Sequence, residues 1–324
     1  MSSLTLYSDP LLGPKATQLL RDATAEHRLI TPTFAASSVL AQPAADPAFE
    51  EAEIAFGQPH LENIYTAKKL RWIHISSAGF TRYDTPEFRA YAENQGLIVT
   101  NSSTVYSRAC AEHVFSFMLA QSRLLPQALA SHAENGSEEW SYLRSGCKCL
   151  FGQNVVILGY GAIASELVKL LAPFEMNITA MRRTPRGNEG FPVVTEETLP
   201  FALADADHVI NILPENAASR GFVNAALLSH FKTGAVFHNI GRGATVNQQD
   251  LADALHSGKL AAAWLDVTDP EPLPADHPLR HAPNCHITPH IAGGHAAEDE
   301  ALVRHFLTNL HRYLAGVPLL DRLF

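Results

Sequence analysis

The chain has 324 residues, of which 46% are hydrophobic and 18% charged, and its formal net charge is −9 at pH 7. This length allows two domains of ordinary size, each with a hydrophobic core of its own. The negative charge disfavours contact with a polyanion, so we expect no nucleic-acid partner. We also expect a cytoplasmic protein with no membrane contact, because residues 1–14 lack the pattern of a secretion signal and no apolar run reaches the ~18 residues of a membrane span.

The cysteines and histidines do not form a recognisable metal site. The four cysteines have neither the paired spacing of a zinc site nor the density of a disulfide-bonded scaffold, so we expect reduced thiols. Three of the sixteen histidines, His286, His290 and His295, lie close together, but no acidic or thiol residue stands at ligand spacing beside them. We therefore expect no metal cofactor.

Short apolar runs alternate with helical or polar stretches along most of the chain. This alternation is typical of βαβ units, whose strands form parallel sheets covered by helices. We predict strands at Leu4–Tyr7, Ile54–Phe56, Trp72–Ile75, Ile98–Val99, Val155–Leu158, Ile178–Met181, Val209–Leu213, Ala235–Ile240, Ala261–Val267 and His286–Ile287.

The alternating pattern is interrupted in the middle of the chain. Ala109–Leu125 is apolar-rich and predicts one long helix, whereas Ser131–Lys148 is polar and holds two glycines, which favours a loop. We therefore predict two Rossmann/flavodoxin-like α/β domains with parallel sheets and a cleft between them, at residues 1–102 and 103–291. The remaining residues, 292–324, have a helical apolar pattern, and we expect them to return to the first domain. Its apolar positions are Leu302, Phe306, Leu310 and Tyr313.

The strand Val155–Leu158 runs directly into the sequence G-x-G-x-x-A and then into a helical pattern. In this context the first glycine permits a tight turn, the second lets the backbone approach a pyrophosphate, and the alanine allows the helix to pack on the strand. The helix N-terminus would offer N–H groups and the positive end of its dipole to the phosphates. We therefore predict a dinucleotide site made by Gly159, Tyr160, Gly161, Ala162 and Ile163, with Leu213, Pro214, Ile240 and Gly241 at the ends of later strands.

The residues after the next strand indicate which dinucleotide binds. NAD selectivity requires a carboxylate there for the ribose hydroxyls, whereas basic residues accommodate the 2′-phosphate of NADP. Here the strand is followed by Arg182, Arg183, Thr184 and Arg186, and we find no carboxylate at the strand end. The alternative is a solvated basic loop. Because guanidinium groups bind phosphate through charge-assisted hydrogen bonds, we predict that the chain prefers NADP(H) and can also use NAD(H).

Three further motifs follow in order. They are N-I-G-R-G at Asn239–Gly243, L-D-V-T-D-P-E-P at Leu265–Pro272 and T-P-H-I-A-G at Thr288–Gly293. Together with the mid-chain glycine motif, they resemble the D-isomer-specific 2-hydroxyacid dehydrogenases, and the resemblance covers most of the chain from about Trp72 onwards. It implies an oxidoreductase that transfers a hydride between nicotinamide and a small 2-oxo or 2-hydroxy acid, and a homodimer.

The resemblance implies that Arg242, Glu271 and His290 are the catalytic residues. Their chemistry suits the reaction, because a guanidinium can hold a carboxylate and polarise a carbonyl, and a histidine can give the carbonyl oxygen its proton near neutral pH. A carboxylate on the far nitrogen of the histidine would orient the ring and favour imidazolium. We expect Arg242 and His290 to contact the substrate as well.

Two other segments resemble family features. Asp266 resembles an acidic residue near the nicotinamide carboxamide, although an aspartate that ends a strand can also cap a turn. The loop Ser77, Ala78 and Gly79 resembles one whose N–H groups receive the substrate carboxylate, which would make residues 1–102 the substrate-binding domain. This chain has Thr104 and Tyr106 where the family often has glycine and asparagine.

The basic loop and the L-D-V-T-D-P-E-P motif look most like those of glyoxylate/hydroxypyruvate reductases. Formate-oxidising members of the family carry glutamine where Glu271 stands, and phosphoglycerate dehydrogenases usually add a domain. The competing hypothesis from another functional class is a cofactor-sensing corepressor on the same fold, which binds partner peptides. Against it, the sequence has no basic patch and no long disordered tail.

Overall fold

The structure is a computed structural model that describes residues 3–32 and 45–324. The chain divides into two compact units, Met1–Tyr106 with His295–Phe324, and Ser107–Gly294. Each unit is built on one parallel sheet with helices, which confirms the predicted α/β fold class. No helix of the described ranges is long and apolar enough to cross a membrane.

The described part of the chain has twelve strands and twelve α-helices. The strands are β1 (Thr5–Ser8), β2 (Arg28–Ile30), β3 (Ile54–Gly57), β4 (Trp72–Ile75), β5 (Ile98–Thr100), β6 (Asn154–Leu158), β7 (Asn177–Met181), β8 (Val193–Val194), β9 (His208–Asn211), β10 (Ala235–Asn239), β11 (Leu260–Leu265) and β12 (Cys285–Ile287). The helices are α1 (Pro14–Ala23), α2 (Leu61–Thr66), α3 (Pro86–Gln95), α4 (Ser103–Ser122), α5 (Leu125–Ala130), α6 (Glu138–Gly146), α7 (Ala162–Leu171), α8 (Leu199–Leu203), α9 (Ala225–Ser229), α10 (Gln248–His256), α11 (Pro278–His281) and α12 (Glu298–Leu314).

The first unit has a five-stranded sheet in the order β2-β1-β3-β4-β5. Helix α12, from the C-terminal end of the chain, packs on this sheet through the apolar positions that recur at helical spacing. The ring of Phe306 stacks on that of Phe56 at 4.5 Å between centroids and lies 5.5 Å from Trp72. All three side chains are buried, so α12 completes the core of a unit whose strands lie at the other end of the chain.

The second unit has a seven-stranded sheet in the order β12-β11-β10-β9-β6-β7-β8. Its first strand in the sequence, β6, has the next strand β7 on one side and β9 on the other, so the direction of winding reverses between β6 and β9. Ligands of open parallel sheets bind outside the carboxyl ends of the strands at such a reversal. The topology therefore directs the search for a site to the loops after β6, β7 and β9.

Besides shifts of one to three residues at the ends of several elements, the structure differs from the sequence-based prediction in two short strands and two helices. Strands β2 and β8 escaped prediction because they have only three and two residues and no apolar run of the usual length. Ser131–Lys148 was predicted to be a loop but contains α6, which begins where Ser137 Oγ accepts a hydrogen bond from Trp140 N at 3.1 Å. Helix α4 begins at Ser103, six residues before the predicted start, because its first turns are polar.

Candidate active site

The turn after β6 leaves the N-terminus of α7 open. Gly159 has φ +95°, a left-handed conformation that favours glycine, and it reverses the chain between strand and helix. A Cβ atom built on Gly161 would have no neighbour within 4 Å, so the space in front of the first N–H groups of the helix is clear. Ala162 and Ile163 form the first turn of α7, and Ala164 is buried. This geometry suits a bound pyrophosphate.

A cavity of about 340 Å³ lies beside this turn. It brings together six residues that were predicted to bind the cofactor, Gly159, Tyr160, Arg182, Arg183, Leu213 and Pro214. Its wall also includes residues that the sequence argument missed, among them Glu196, Asn216, Ser219 and Phe222. The loop from Pro214 to Phe222 is held by its own polar side chains; Ser219 Oγ, for example, donates to Pro214 O at 2.5 Å.

The loop after β7 contains a carboxylate that we had not expected at this strand end. Glu189 Oε1 lies 3.2 Å from Arg182 Nη1 and accepts a hydrogen bond from Arg186 N at 2.8 Å. The sequence argument considered only the residues at the strand end and missed Glu189, because the chain folds back seven residues after Arg182. Arg183 lines the cavity, and Thr184 is exposed beyond it.

The loop after β10 packs closely on the loop after β9. A Cβ atom on Gly241 would lie 2.7 Å from Leu213 O, which is too close for any side chain to fit without a shift of the backbone. Ile240 and Gly241 are both buried at this contact. The close approach places Ile240 and Gly241 next to the wall of the cavity formed by Leu213 and Pro214.

Arg242 follows β10 and has a backbone that is firmly held. Its carbonyl oxygen accepts hydrogen bonds from Thr245 Oγ1 at 2.6 Å and from Asn239 Nδ2 at 3.2 Å. A Cβ atom on Gly243 would lie 2.0 Å from the backbone of Thr268, so the Arg242 loop lies directly against the segment that leads to Glu271. Fixing the backbone in this way limits where the guanidinium can reach.

His290 and Glu271 form the central contact of the site. Nδ1 of His290 lies 2.8 Å from Glu271 Oε2, and Glu271 Oε1 accepts a hydrogen bond from Thr268 N at 2.9 Å. Partial burial would raise the pKa of Glu271, but the bonds from His290 and Thr268 and the nearby charge of Arg242 outweigh it and hold the pKa below its usual value. The carboxylate is therefore charged at neutral pH. About a third of each side chain remains exposed.

The order of the strands brings these three residues together. Asn239 at the end of β10 pairs with Leu265 at the end of β11, which pairs with Ile287 at the end of β12. Arg242, Glu271 and His290 follow these three strand ends, so side chains far apart in the sequence emerge at one edge of the sheet.

Asp266 holds the loop that carries His290. Its buried carboxylate accepts hydrogen bonds from Thr288 Oγ1 at 2.6 Å, Ile291 N at 2.9 Å and Ala292 N at 2.8 Å. Its backbone oxygen accepts from His290 N at 2.9 Å, and His290 has φ +53°. The side chain of Asp266 is only 1% exposed, so these protein donors, and not solvent, surround the carboxylate that we expected near a nicotinamide.

The predicted substrate loop follows β4 in the first unit. Asn101 Nδ2 donates to Ala78 O at 2.7 Å, Ser77 Oγ donates to Gly79 O at 2.6 Å, and Ser102 N donates to Ser77 O at 3.1 Å. Residues that follow β5 thus position the loop that follows β4. The sequence argument missed Asn101, although a polar residue directly after a buried strand was a usable signal.

Similar polar residues support the second unit. Asn211 Nδ2 at the end of β9 donates to Asn239 Oδ1 at 3.0 Å and to Thr245 Oγ1 at 2.7 Å, beneath the Arg242 loop. These side chains are buried and satisfy one another. Within residues 3–32 and 45–324, no group of three or more histidine, cysteine or acidic side chains is arranged to hold a metal ion.

Comparison with known proteins agrees with this geometry. Residues 115–292, more than half of the chain, match the family model for the D-isomer specific 2-hydroxyacid dehydrogenase, NAD binding domain. The chain is 34% identical over 252 residues to the human glyoxylate reductase/hydroxypyruvate reductase, an alignment that covers 77% of this chain and 76% of the human protein.

Two solved structures share the fold over nearly the whole chain. One is a D-isomer specific 2-hydroxyacid dehydrogenase from Xanthobacter autotrophicus Py2 in complex with NADPH and MES, with a TM-score of 0.78, 25% identity, and coverage of 100% of this chain and 98% of that one. The other is an NADPH-dependent glyoxylate/hydroxypyruvate reductase from Sinorhizobium meliloti in complex with NADP and malonate, with a TM-score of 0.74, 25% identity, and coverage of 99% and 97%. The chain therefore belongs to the D-isomer-specific 2-hydroxyacid dehydrogenase family, and it is an NAD(P)-dependent oxidoreductase.

Proposed function

We propose that this protein uses NADPH to reduce a small 2-oxo acid, of the size of glyoxylate or hydroxypyruvate, to the D-2-hydroxy acid. The observation that carries the proposal is the contact of 2.8 Å between His290 and a charged Glu271, beside the Arg242 loop. The human and Sinorhizobium meliloti relatives, which are named for glyoxylate and hydroxypyruvate, support the substrate class.

The residues of the site have separate tasks in this reaction. When bound, the reduced nicotinamide supplies the hydride that reduces the oxo carbon. His290 gives a proton to the carbonyl oxygen, so that one hydride and one proton convert the 2-oxo acid into the 2-hydroxy acid. Glu271 orients the imidazole through Nδ1, which leaves Nε2 to act on the substrate. Arg242 binds the carboxylate and stabilises the charge that develops on the carbonyl oxygen.

We assign the cofactor to residues 103–291 and the substrate carboxylate to the backbone N–H groups at Ser77, Ala78 and Gly79, within residues 1–102 and 292–324. The open N-terminus of α7 and the adjacent cavity support the first assignment. The support for the second is the resemblance of the loop together with the hydrogen bonds from Asn101 and Ser102 that hold it.

Arg182 and Arg183 are proposed to bind the 2′-phosphate of NADPH. Both line the cavity, and the two related structures were solved with NADPH or NADP. One well-formed hydrogen bond to a charged group contributes roughly 1.5–3 kcal/mol, and ~1.4 kcal/mol is tenfold in affinity. NAD(H) remains a usable but poorer cofactor.

The test is a steady-state assay with glyoxylate, hydroxypyruvate, pyruvate, phenylpyruvate and 2-ketogluconate, each with NADPH and with NADH. We expect kcat/KM to be at least about tenfold higher with NADPH, and Arg182→Asp to shrink or reverse that ratio. A preference of the wild-type protein for NADH would refute the cofactor assignment. An absence of turnover with every acid, with cofactor binding retained, would instead favour the corepressor alternative.

We also propose that the protein acts in the cytoplasm and, as the resemblance to the family implies, that it is a homodimer. Leu129 on α5, which is 83% exposed, and Tyr142 on α6, which is 69% exposed, are candidates for the contact. Light scattering should give a mass of about twice that of one chain. A monomer at micromolar concentration would refute the dimer.

A further inference from the structure

The loop after β7 encloses the side chain of Glu189. The side chain is 4% exposed, whereas its partner Arg182 is 18% exposed. Oε1 of Glu189 is shared between Arg182 Nη1 at 3.2 Å and Arg186 N at 2.8 Å. The pKa of Glu189 is held below its usual value mainly by the hydrogen bond from the backbone N–H of Arg186. The N–H groups of Glu189 and Gly187 and the side chain of Arg182 lower it further. The carboxylate is thus a charged anchor inside its own loop.

Arg182 contacts Glu189 on one side and lines the cavity on the other. Its guanidinium carbon lies 6.0 Å from the centre of the Tyr160 ring, and both Tyr160 and Arg182 line the cavity, whereas Glu189 is not part of its wall. A guanidinium has five N–H donors in a fixed fork, so one bond to Glu189 leaves others for a ligand. Glu189 therefore restricts the side chain of Arg182 and still leaves N–H donors free to bind a phosphate.

We propose that Glu189 is a positioning residue for NADPH: it holds Arg182 in the orientation that receives the 2′-phosphate. This inference rests on the proposed use of NADPH. A long arginine side chain loses much rotational freedom when it binds, and a guanidinium that is already ordered loses less. Glu189 therefore favours NADPH over NADH although it carries the same sign of charge as the phosphate.

Two substitutions separate this role from simple repulsion of the phosphate. Glu189→Ala removes both the charge and the hydrogen-bond acceptor, whereas Glu189→Gln removes the charge and keeps Oε1 as an acceptor. Dissociation constants for NADPH and NADH are measured by fluorescence titration of the whole protein. We expect Glu189→Ala to weaken NADPH about fivefold or more and to leave NADH within about twofold, and Glu189→Gln to restore most of the loss.

One background and one further variant serve as controls. In Arg182→Ala, the further change Glu189→Ala should have no additional effect on NADPH, because Glu189 acts through Arg182. Glu196 is a carboxylate on the cavity wall, and Glu196→Gln removes an equal charge near the same site. It should strengthen NADPH binding or leave it unchanged, the opposite sign to Glu189→Ala.

Each result decides the inference. Tighter NADPH binding in both Glu189 variants would overturn it, because Glu189 would then act only as a repelling charge. Equal weakening of NADPH and NADH in Glu189→Ala would also overturn it and would indicate a structural role. If the wild-type protein prefers NADPH and Glu189→Ala keeps that preference unchanged, only this inference is overturned. If the wild-type protein does not prefer NADPH, both the proposed cofactor and this inference are overturned.

Discussion

At the scale of single residues, the proposed chemistry depends on the contact of 2.8 Å between His290 and Glu271. His290 and Glu271 are each about one-third exposed, and solvent screens such a pair, so it adds little to the stability of the fold. Its proposed effect is on geometry, because a carboxylate at Nδ1 orients the imidazole and leaves Nε2 for the substrate.

Replacing this carboxylate should slow the reaction. In Glu271→Gln a neutral amide replaces the charged group beside Nδ1 of His290, and a neutral partner holds the ring less firmly. We expect kcat/KM for reduction to fall about tenfold, the equivalent of ~1.4 kcal/mol. The measurement is kcat/KM for the 2-oxo acid with saturating NADPH.

A second variant provides the comparison. His290→Ala should remove most turnover at every pH, since it removes the proton donor itself. If Glu271→Gln keeps the wild-type kcat/KM, Glu271 is not the functional partner of His290.

At the scale of elements, the loops after β10, β11 and β12 form one connected structure. The Arg242 loop lies against Thr268 because Gly243 has no side chain, and the carboxylate of Asp266 ties the end of β11 to the loop after β12. Each loop is thus positioned by a neighbouring loop. The proposed catalytic residues owe their alignment to these contacts, since each of them lies beyond the end of its strand.

Asp266 gives a way to test this alignment. In the wild type, both carboxylate oxygens of Asp266 accept hydrogen bonds from Thr288, Ile291 and Ala292. An asparagine has only one acceptor oxygen, and its NH2 group would face one of these donors. We expect Asp266→Asn to lose about 1–3 kcal/mol of stability, the cost of an unsatisfied buried donor, and to lower kcat. The affinity for NADPH should change little, because the carboxylate is already hydrogen-bonded to protein donors.

Thermal unfolding, kcat and NADPH titration together check this prediction. A large loss of NADPH affinity with unchanged kcat would show that Asp266 acts mainly on the cofactor, as its resemblance to the family residue suggests.

At the scale of the whole molecule, we expect buried histidines to make the two units respond differently to acid. In the second unit, burial lowers the pKa of His208 to about 4 and the pKa of His238 well below its usual value, and their rings lie 3.1 Å apart from Nδ1 to Nε2. In the first unit, burial lowers the pKa of His74 to about 3 but raises that of Asp9 to about 6. The two shifts in the first unit have opposite effects on stability.

The sign follows from proton binding. A histidine whose folded pKa lies below the unfolded 6.5 binds a proton only after unfolding, so stability falls as the pH falls from 6.5 to the folded pKa. Asp9 binds its proton in the folded state between pH 6 and 3.8, which offsets His74. The second unit should therefore lose stability as the pH falls from 6.5 towards 5, by roughly 1.4 kcal/mol per pH unit for each histidine proton taken up on unfolding, while the first unit changes less.

Hydrogen exchange of the whole protein, measured peptide by peptide between neutral pH and about pH 5 after correction for the intrinsic rate, resolves the two units. The double variant His208→Gln and His238→Gln should flatten the pH dependence of the second unit. Equal acid sensitivity in both units, or an unchanged slope in the double variant, would contradict the prediction.

Much of this molecule could be predicted from the sequence because the signals are local. The strand Trp72–Ile75 matches β4 residue for residue, since a buried parallel strand is a continuous apolar run. The turn at Gly159 was recognisable because glycine, strand and helix follow one another directly. The three motifs around Arg242, Glu271 and His290 identified the family, and the comparisons confirm that assignment.

Tertiary structure decided which side chains meet. Glu189 stands seven residues beyond Arg182, and only the path of the loop brings its carboxylate back to the guanidinium. Asp266 and Ile291 are bonded across 25 residues because β11 and β12 are neighbours in the sheet. A sequence pattern reports the period of an element and the residues at its ends, but contacts between loops depend on the order of the strands, which no local pattern carries.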